Sequence, residues 1–201
     1  MTDKNAKSEN IQIPTLWFDK DGVLAQYDYD IYEAEAGCTP PWLTRNAHVF
    51  RHLPAYPSMV TVFQNLYYEY INSHPKNRRY NVKIITAVSN SVTLSEQVLD
   101  SLYWIRHNIA AGFRDRDFYA IASPKQNIPV ILRHKITPYD ILIDDYNPNL
   151  KAWKDAGGTS VKAVNDINSE NPEFLNVDIM QAASEITEWF EDTIKIITTT
   201  T

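Results

Sequence analysis

Cysteine is nearly absent from this chain. Among 201 residues only Cys38 carries a thiol, so no disulfide can close within the sequence and no cysteine-based zinc site can form. A lone thiol fits a reducing compartment, and the expected location is the cytoplasm. Positive charge is also in short supply. Lysine and arginine total 19 against 25 acidic residues, a net charge of −6. That balance argues against a protein that coats a nucleic-acid backbone, which needs a basic face. It leaves room for a small anionic ligand, because a few local cations or a metal outweigh the global charge. No apolar run approaches the ~20 residues of a membrane span. Residues 1–10 are polar and lack the hydrophobic stretch of a secretory signal. No internal repeat is visible. What is present is a 44% apolar composition, enough for one packed domain over residues 1–201.

Residues Ile11 to Phe18 read as a buried strand, β-branched and aromatic. Gly22 then permits a sharp turn. From residue 25 to residue 57 no long period is visible, and Pro40, Pro41 and Pro54 interrupt the segment. A structureless loop of that length is unusual, so a small cap inserted after the first strand is expected. Pro57 begins a helix with Val60, Phe63, Leu66, Tyr67 and Tyr70 on one face. Val82 to Thr86 is a second strand. A helix from Thr93 to Asn108 follows, with Leu94, Val98, Leu102, Ile105 and Ile109 as its expected apolar stripe. Phe118 to Ala122 is a third strand, and 125–134 is expected to be helical. Ile141 to Ile143 is a fourth strand, ending in Asp144 and Asp145. A short helix from Pro148 to Ala156 closes at Gly157 and Gly158. Thr159 to Val164 is a fifth strand, and a last amphipathic helix spans Ile179 to Ile194. Strands alternating with helices predict an α/β fold: a Rossmann-like parallel sheet of about five strands, with helices on both faces. In such sheets ligands gather at the carboxyl ends of the strands. Asp19, Thr86 and Asp144 all stand at such ends.

Asp19 and Asp21 are two residues apart, and on an extended segment they point the same way. Carboxylates so placed repel unless a cation lies nearby. A hard cation with oxygen ligands, Mg²⁺ above all, meets that need. The alternative is a solvated Asp-Gly turn. A calcium loop of the EF-hand type fits poorly, since its glycine belongs at the sixth position and Gly22 is fourth. Asp144 and Asp145 form a second acidic pair, which alone is equally a polar loop. Two such pairs in one α/β chain bring more negative charge than one site tolerates without metal. Thr86 either caps its strand or holds a phosphate oxygen. Lys125 either faces solvent or neutralises that phosphate and a carboxylate, with Lys135 as its competitor.

The run Phe18-Asp19-Lys20-Asp21-Gly22-Val23-Leu24, then Ile84-Ile85-Thr86, Lys125 and Ile141-Leu142-Ile143-Asp144-Asp145, resembles the haloacid dehalogenase-like hydrolase superfamily, with its four motifs in order. The segment Asp144 to Leu150, with Trp153, Ala156-Gly157-Gly158 and Val161 to Asn165, resembles the 5′(3′)-deoxyribonucleotidase-like branch of bacteria and their phages. The resemblance implies a phosphomonoesterase in a bacterial cell or phage-infected host. Asp19 would be the nucleophile that forms an aspartyl-phosphate, and Asp21 would be the general acid and base. Thr86 and Lys125 would clamp the phosphate. Mg²⁺ would be held by Asp19, the Asp21 backbone carbonyl, and Asp145 or Asp144, with Asp145 preferred. The expected partner is a small phosphorylated substrate, a nucleoside monophosphate. Rival expectations are a sugar phosphate or nucleic-acid end as substrate, or a binding protein that has lost catalysis. A homodimer is left open. Lys20 departs from the apolar residue common between the two acids, and its side chain is expected to point away from the site.

Tyr27, Trp42 and Phe50 in the presumed cap are candidates to stack on a nucleobase; the alternative is that they build the cap's own core. His48 and His52 have helical metal-ligand spacing but no third ligand nearby. Lys76, Arg78, Arg79, Arg114 and Arg116 read as loop charges rather than a nucleic-acid patch.

Overall fold

A computed structural model describes residues 12–26, 47–88, 94–121, 125 and 135–199. Its centre is strand β1, Thr15–Phe18, short and almost wholly buried. Parallel partners flank it on both sides. Phe18 stands in register with Ile84 of β2 (Asn81–Ala87) and with Ile143 of β4 (Asp140–Asp144). With β3 (Phe118–Ile121), β5 (Thr159–Val164) and β6 (Leu175–Asp178), the sheet has six parallel strands in the order β3-β2-β1-β4-β5-β6. The expected α/β parallel sheet is therefore present, with one strand more than the five read from the sequence. The extra strand is β6, four residues at the sheet edge that bury only Val177. So short and polar a segment gives no hydrophobic run to detect.

Successive residues of a strand face opposite sides, and β1 divides its side chains accordingly. Leu16 and Phe18 enter the main core, whereas Trp17 enters a second core with Leu142, Leu150 and Trp153. The main core packs helix α1 (Pro57–Asn72), helix α2 (Leu94–Asn108) and the last helix, α4 (Ala183–Thr199), onto one face. Phe18 sits edge-on to Phe63 of α1 at 5.0 Å and tilted against Phe190 of α4 at 5.6 Å. On the other face lies helix α3 (Asn147–Asp155), pinned where Trp153 Nε1 donates to the Asp140 carbonyl and Ser160 Oγ to the Leu150 carbonyl. Gly157 ends that helix with a left-handed φ of 102°, a conformation glycine adopts freely.

The chain on either side of residues 27–53 meets at one place. Gln26 N donates to Pro54 O and Tyr56 N to Leu24 O, and Ala25 bridges Ala55. Residues 27–46, including Tyr27 and Trp42, lie outside the described residues, as does most of the expected 125–134 helix. Residues Ala47–Arg51 form a 3-10 turn packed on α2. Helix α2 corrects the expected stripe. Its fully buried face is Gln97, Asp100, Ser101, Trp104 and Ile105, whereas Leu94, Val98 and Leu102 are only half-buried. That rotation has a physical cause. The 3-10 turn brings Arg51 and His48 against the helix, and Asp100 meets both, at 2.9 Å and 3.0 Å. Trp104 Nε1 also donates to the Leu53 carbonyl at 2.7 Å.

Candidate active site

At the carboxyl edge of β1 the chain leaves the sheet in a tight turn. Asp19 N still donates to Ile143 O of β4, but Leu24 N and Ala25 N both return to Lys20 O, and Gly22 N donates to Ala25 O. Gly22 makes this possible with φ 82°. A Cβ at that position would overlap the Asp145 carboxylate, so the glycine also lets the first turn approach the acids after β4.

The acids after β4 divide their contacts. Asp144 is fully buried. It accepts from Tyr146 N at 2.8 Å, from Asn149 Nδ2 at 3.1 Å and from Lys125 Nζ at 2.6 Å. Asp145 sits against the first turn, where Asn165 reaches Asp145 Oδ2 at 3.4 Å and the Gly22 carbonyl at 2.8 Å. Lys162, on β5 beside Asp144, donates from its buried ammonium to the Asp145 carbonyl. Lys125 bridges the two strands, with its ammonium 2.6 Å from Asp19 Oδ2 as well as from Asp144. Lys135 is exposed, so of the two candidate lysines the one in the site is Lys125.

These positions load the site with charge. Burial pushes the Asp19 carboxyl well above its ordinary range; Lys125 opposes this, while Asp144 and Asp21 add to it. Burial, then repulsion from Asp144, pushes Asp145 up to about 7, against the pull of Lys125 and Lys162. Burial lowers the Lys125 ammonium, but the Asp144 and Asp19 carboxylates more than offset that and hold it above the ordinary lysine value. Burial also draws Lys162 down. One oxygen each from Asp19, Asp144 and Asp145 lies within 4.8 Å of the others. Three buried carboxylates, two of them pushed above the ordinary carboxylate range by burial, fit a divalent cation as the missing counter-charge. Among the described residues this is the sole cluster of such groups.

Asp21 faces differently. Its Oδ2 accepts from Thr86 Oγ1 at 3.3 Å, and its Oδ1 pairs with the Lys20 ammonium. Lys20 corrects the sequence-based expectation: it does not point away but folds back onto Asp21. The strand alternation that would send it outward ends at Phe18, and beyond it the turn around Gly22 sets the direction. Asp19, Asp21, Thr86, Lys125, Asp144 and Asp145 thus converge on one edge. Phe50 stands apart from a ligand-stacking role: it is buried in the main core, with its ring 5.5 Å from the Lys20 ammonium. His48 contacts Asp100 rather than forming a metal site with His52. Lys162, Asn165 and Asn149 lie in the segments that carry the family resemblance, but the sequence assigns none of them a role in the site. Only the placement of Asn165 at the end of β5 pointed to the edge where the acids gather.

No protein-family model matches the sequence, and no curated protein does. Solved structures match in shape. A D,D-heptose 1,7-bisphosphate phosphatase from B. bronchiseptica, complexed with magnesium and phosphate, is similar at TM-score 0.53 and 11% identity, over 88% of this chain and 99% of that one. A haloacid dehalogenase-like family hydrolase from Streptococcus pneumoniae gives TM-score 0.54 and 12% identity, over 89% and 98%. A hydrolase of the same family from Deinococcus radiodurans R1, with bound phosphate and sodium, gives 0.50 and 12%, over 92% and 98%. The chain has the fold of the haloacid dehalogenase-like hydrolases.

Proposed function

We propose that this chain is a Mg²⁺-dependent phosphomonoesterase that works through an aspartyl-phosphate. The observation that carries the proposal is the convergence of Asp19, Lys125, Asp144 and Asp145 at one sheet edge, with Asp21 beside Thr86. Asp19 Oδ attacks phosphorus while the bond to the ester oxygen breaks, and Asp21 delivers its proton to that leaving oxygen. Asp21 then takes a proton from water as the water attacks phosphorus, and the Asp19–phosphorus bond breaks to release phosphate. The Lys125 ammonium and the Thr86 hydroxyl hold the phosphoryl oxygens. Asp19, Asp145 and Asp144 would hold the Mg²⁺, with the Asp21 backbone carbonyl as a further ligand. When bound, the ion supplies positive charge that offsets the phosphoryl group against the carboxylates. Magnesium with phosphate in the heptose-bisphosphate phosphatase of like fold supports the same chemistry here.

The substrate class follows from the resemblance of residues 144–165 to deoxyribonucleotidases: a nucleoside monophosphate. A sugar phosphate is the second candidate, favoured by the substrate named for that same structural relative. The test is phosphate release from a panel of monoesters with Mg²⁺, comparing wild type with Asp19→Asn. Wild type is expected to turn over at least one nucleotide, and Asp19→Asn to lose all measurable turnover. Failure on every ester would overturn the enzyme assignment. Release from sugar phosphates alone would overturn only the nucleotide assignment.

A further inference from the structure

The residue between the two acids is the least expected feature of the site. Lys20 is fully buried, and its ammonium pairs with Asp21 Oδ1, whose side chain keeps 15% exposure. That ammonium lies over two aromatic faces, the Phe50 ring at 5.5 Å and the Trp104 ring at 5.4 Å. Phe50 comes from the 3-10 turn Ala47–Arg51, and Trp104 from α2. Both rings belong to the main core.

A side chain there merely to fill space would be apolar. Withdrawing an ammonium from water is costly, and a hydrophobic residue of like volume packs among the same rings without that penalty. What the lysine adds is a charge-assisted bond to one oxygen of one carboxylate. The other oxygen, Asp21 Oδ2, is left facing Thr86 at 3.3 Å, the residue assigned above to the phosphate.

We propose that Lys20 is a positioning residue for proton transfer. Held against the Phe50 and Trp104 rings, it fixes Asp21 Oδ1 so that Oδ2 is the oxygen that gives and takes the proton. The inference rests on the phosphomonoesterase assignment. In the first step the proton on Asp21 Oδ2 passes to the ester oxygen as the phosphorus–oxygen bond breaks and the Asp19–phosphorus bond forms. In the second it returns from the attacking water. Lys20 exchanges no proton and touches no substrate.

The test exploits the leaving group. An alkoxide needs Asp21's proton to depart, whereas a nitrophenolate departs without it. The parameter kcat/KM reports events up to phosphoenzyme formation. For Lys20→Met, kcat/KM on an alkyl phosphate such as a nucleoside monophosphate is expected to fall about ten- to hundredfold, less than the ~10²–10⁴-fold that complete loss of general acid catalysis costs. On p-nitrophenyl phosphate it stays within about twofold of wild type, because the group lost acts only on the alkoxide. In an Asp21→Asn background the same substitution has no further effect. Mg²⁺ binding followed by calorimetry is unchanged. Phe50→Leu, which keeps the lysine and removes one ring face, shows the same alkyl-selective loss in smaller degree and serves if Lys20→Met fails to fold. Equal losses on both esters, a matching loss of Mg²⁺ binding, or no loss on the alkyl ester would overturn the role of Lys20 while leaving the phosphatase standing. Absence of any turnover by wild type would overturn both.

Discussion

At the scale of single residues, Gly22 carries two constraints at once. Its backbone is left-handed, and the space where a Cβ would stand is filled by the Asp145 carboxylate. Gly22→Ala is therefore expected to cost about 1 kcal/mol or more in stability from backbone strain alone. It should also push Asp145 away from Asp19. Thermal unfolding with and without Mg²⁺ checks both effects: the variant should melt lower and gain less from the ion than wild type does. An unchanged gain would mean that Asp145 is not a ligand. The acids and Lys125 were legible in the sequence because each closes a strand or stands at a motif position. Lys20 was misjudged because strand alternation was carried past the strand's last residue. Lys162 was invisible for another reason: within a buried strand, nothing local distinguishes a lysine that serves a site from one that reaches solvent.

Elements were legible in proportion to their apolar periodicity. Helix α1 buries the residues its sequence pattern selects, Val60, Phe63, Leu66, Tyr67 and Tyr70, and of the α4 face read as Ala183, Ile186, Phe190 and Ile194 all but the half-buried Ala183 are buried. Helix α2 misleads because its packing partner is polar. Asp100 faces Arg51 and His48 on the 3-10 turn, so the helix turns a carboxylate inward that a hydrophobic pattern assigns to solvent. This pair of elements also places the Phe50 and Trp104 rings against the Lys20 ammonium. Asp100→Ala leaves the partly exposed Arg51 without its carboxylate. The expected loss, discounted for that exposure, is about 1–3 kcal/mol. Urea unfolding measures it. Limited proteolysis should at the same time cut near residues 47–51 sooner than in wild type. A variant as stable as wild type would show that the turn is held by its apolar contacts alone.

Taken as a whole, the molecule gathers acids distant in sequence at one sheet edge because β1 lies between β2 and β4. That common edge was expected from the alternation of strands and helices, whereas the sixth strand was not. The gathering has a thermodynamic signature. In the native, metal-free protein Asp145 retains its proton up to about pH 7, whereas in the unfolded chain its carboxyl releases it near its ordinary value of 3.8. The native state thus binds more protons between those limits, and this group's contribution to stability is lost as pH rises through the window. Metal-free protein should melt progressively lower from about pH 5 to about pH 7.5, and the gain in Tm on adding Mg²⁺ should widen over the same interval. Asp145→Asn should flatten both trends. Scanning calorimetry across that range checks them, and a gain independent of pH would contradict the shared site.

The strand order also bears on how the chain assembles. The central strand is made first, yet one of its two neighbours begins only at Asp140. During synthesis β1 therefore waits, an apolar segment without a full set of partners, until β4 has been made. Contacts so far apart in sequence form slowly, because a long loop must close before either strand gains from the pairing. The two halves of the acid cluster come together in that same late event. A nascent chain released before β4 should have no competent metal site, and a bound ion would report that the centre of the sheet has closed.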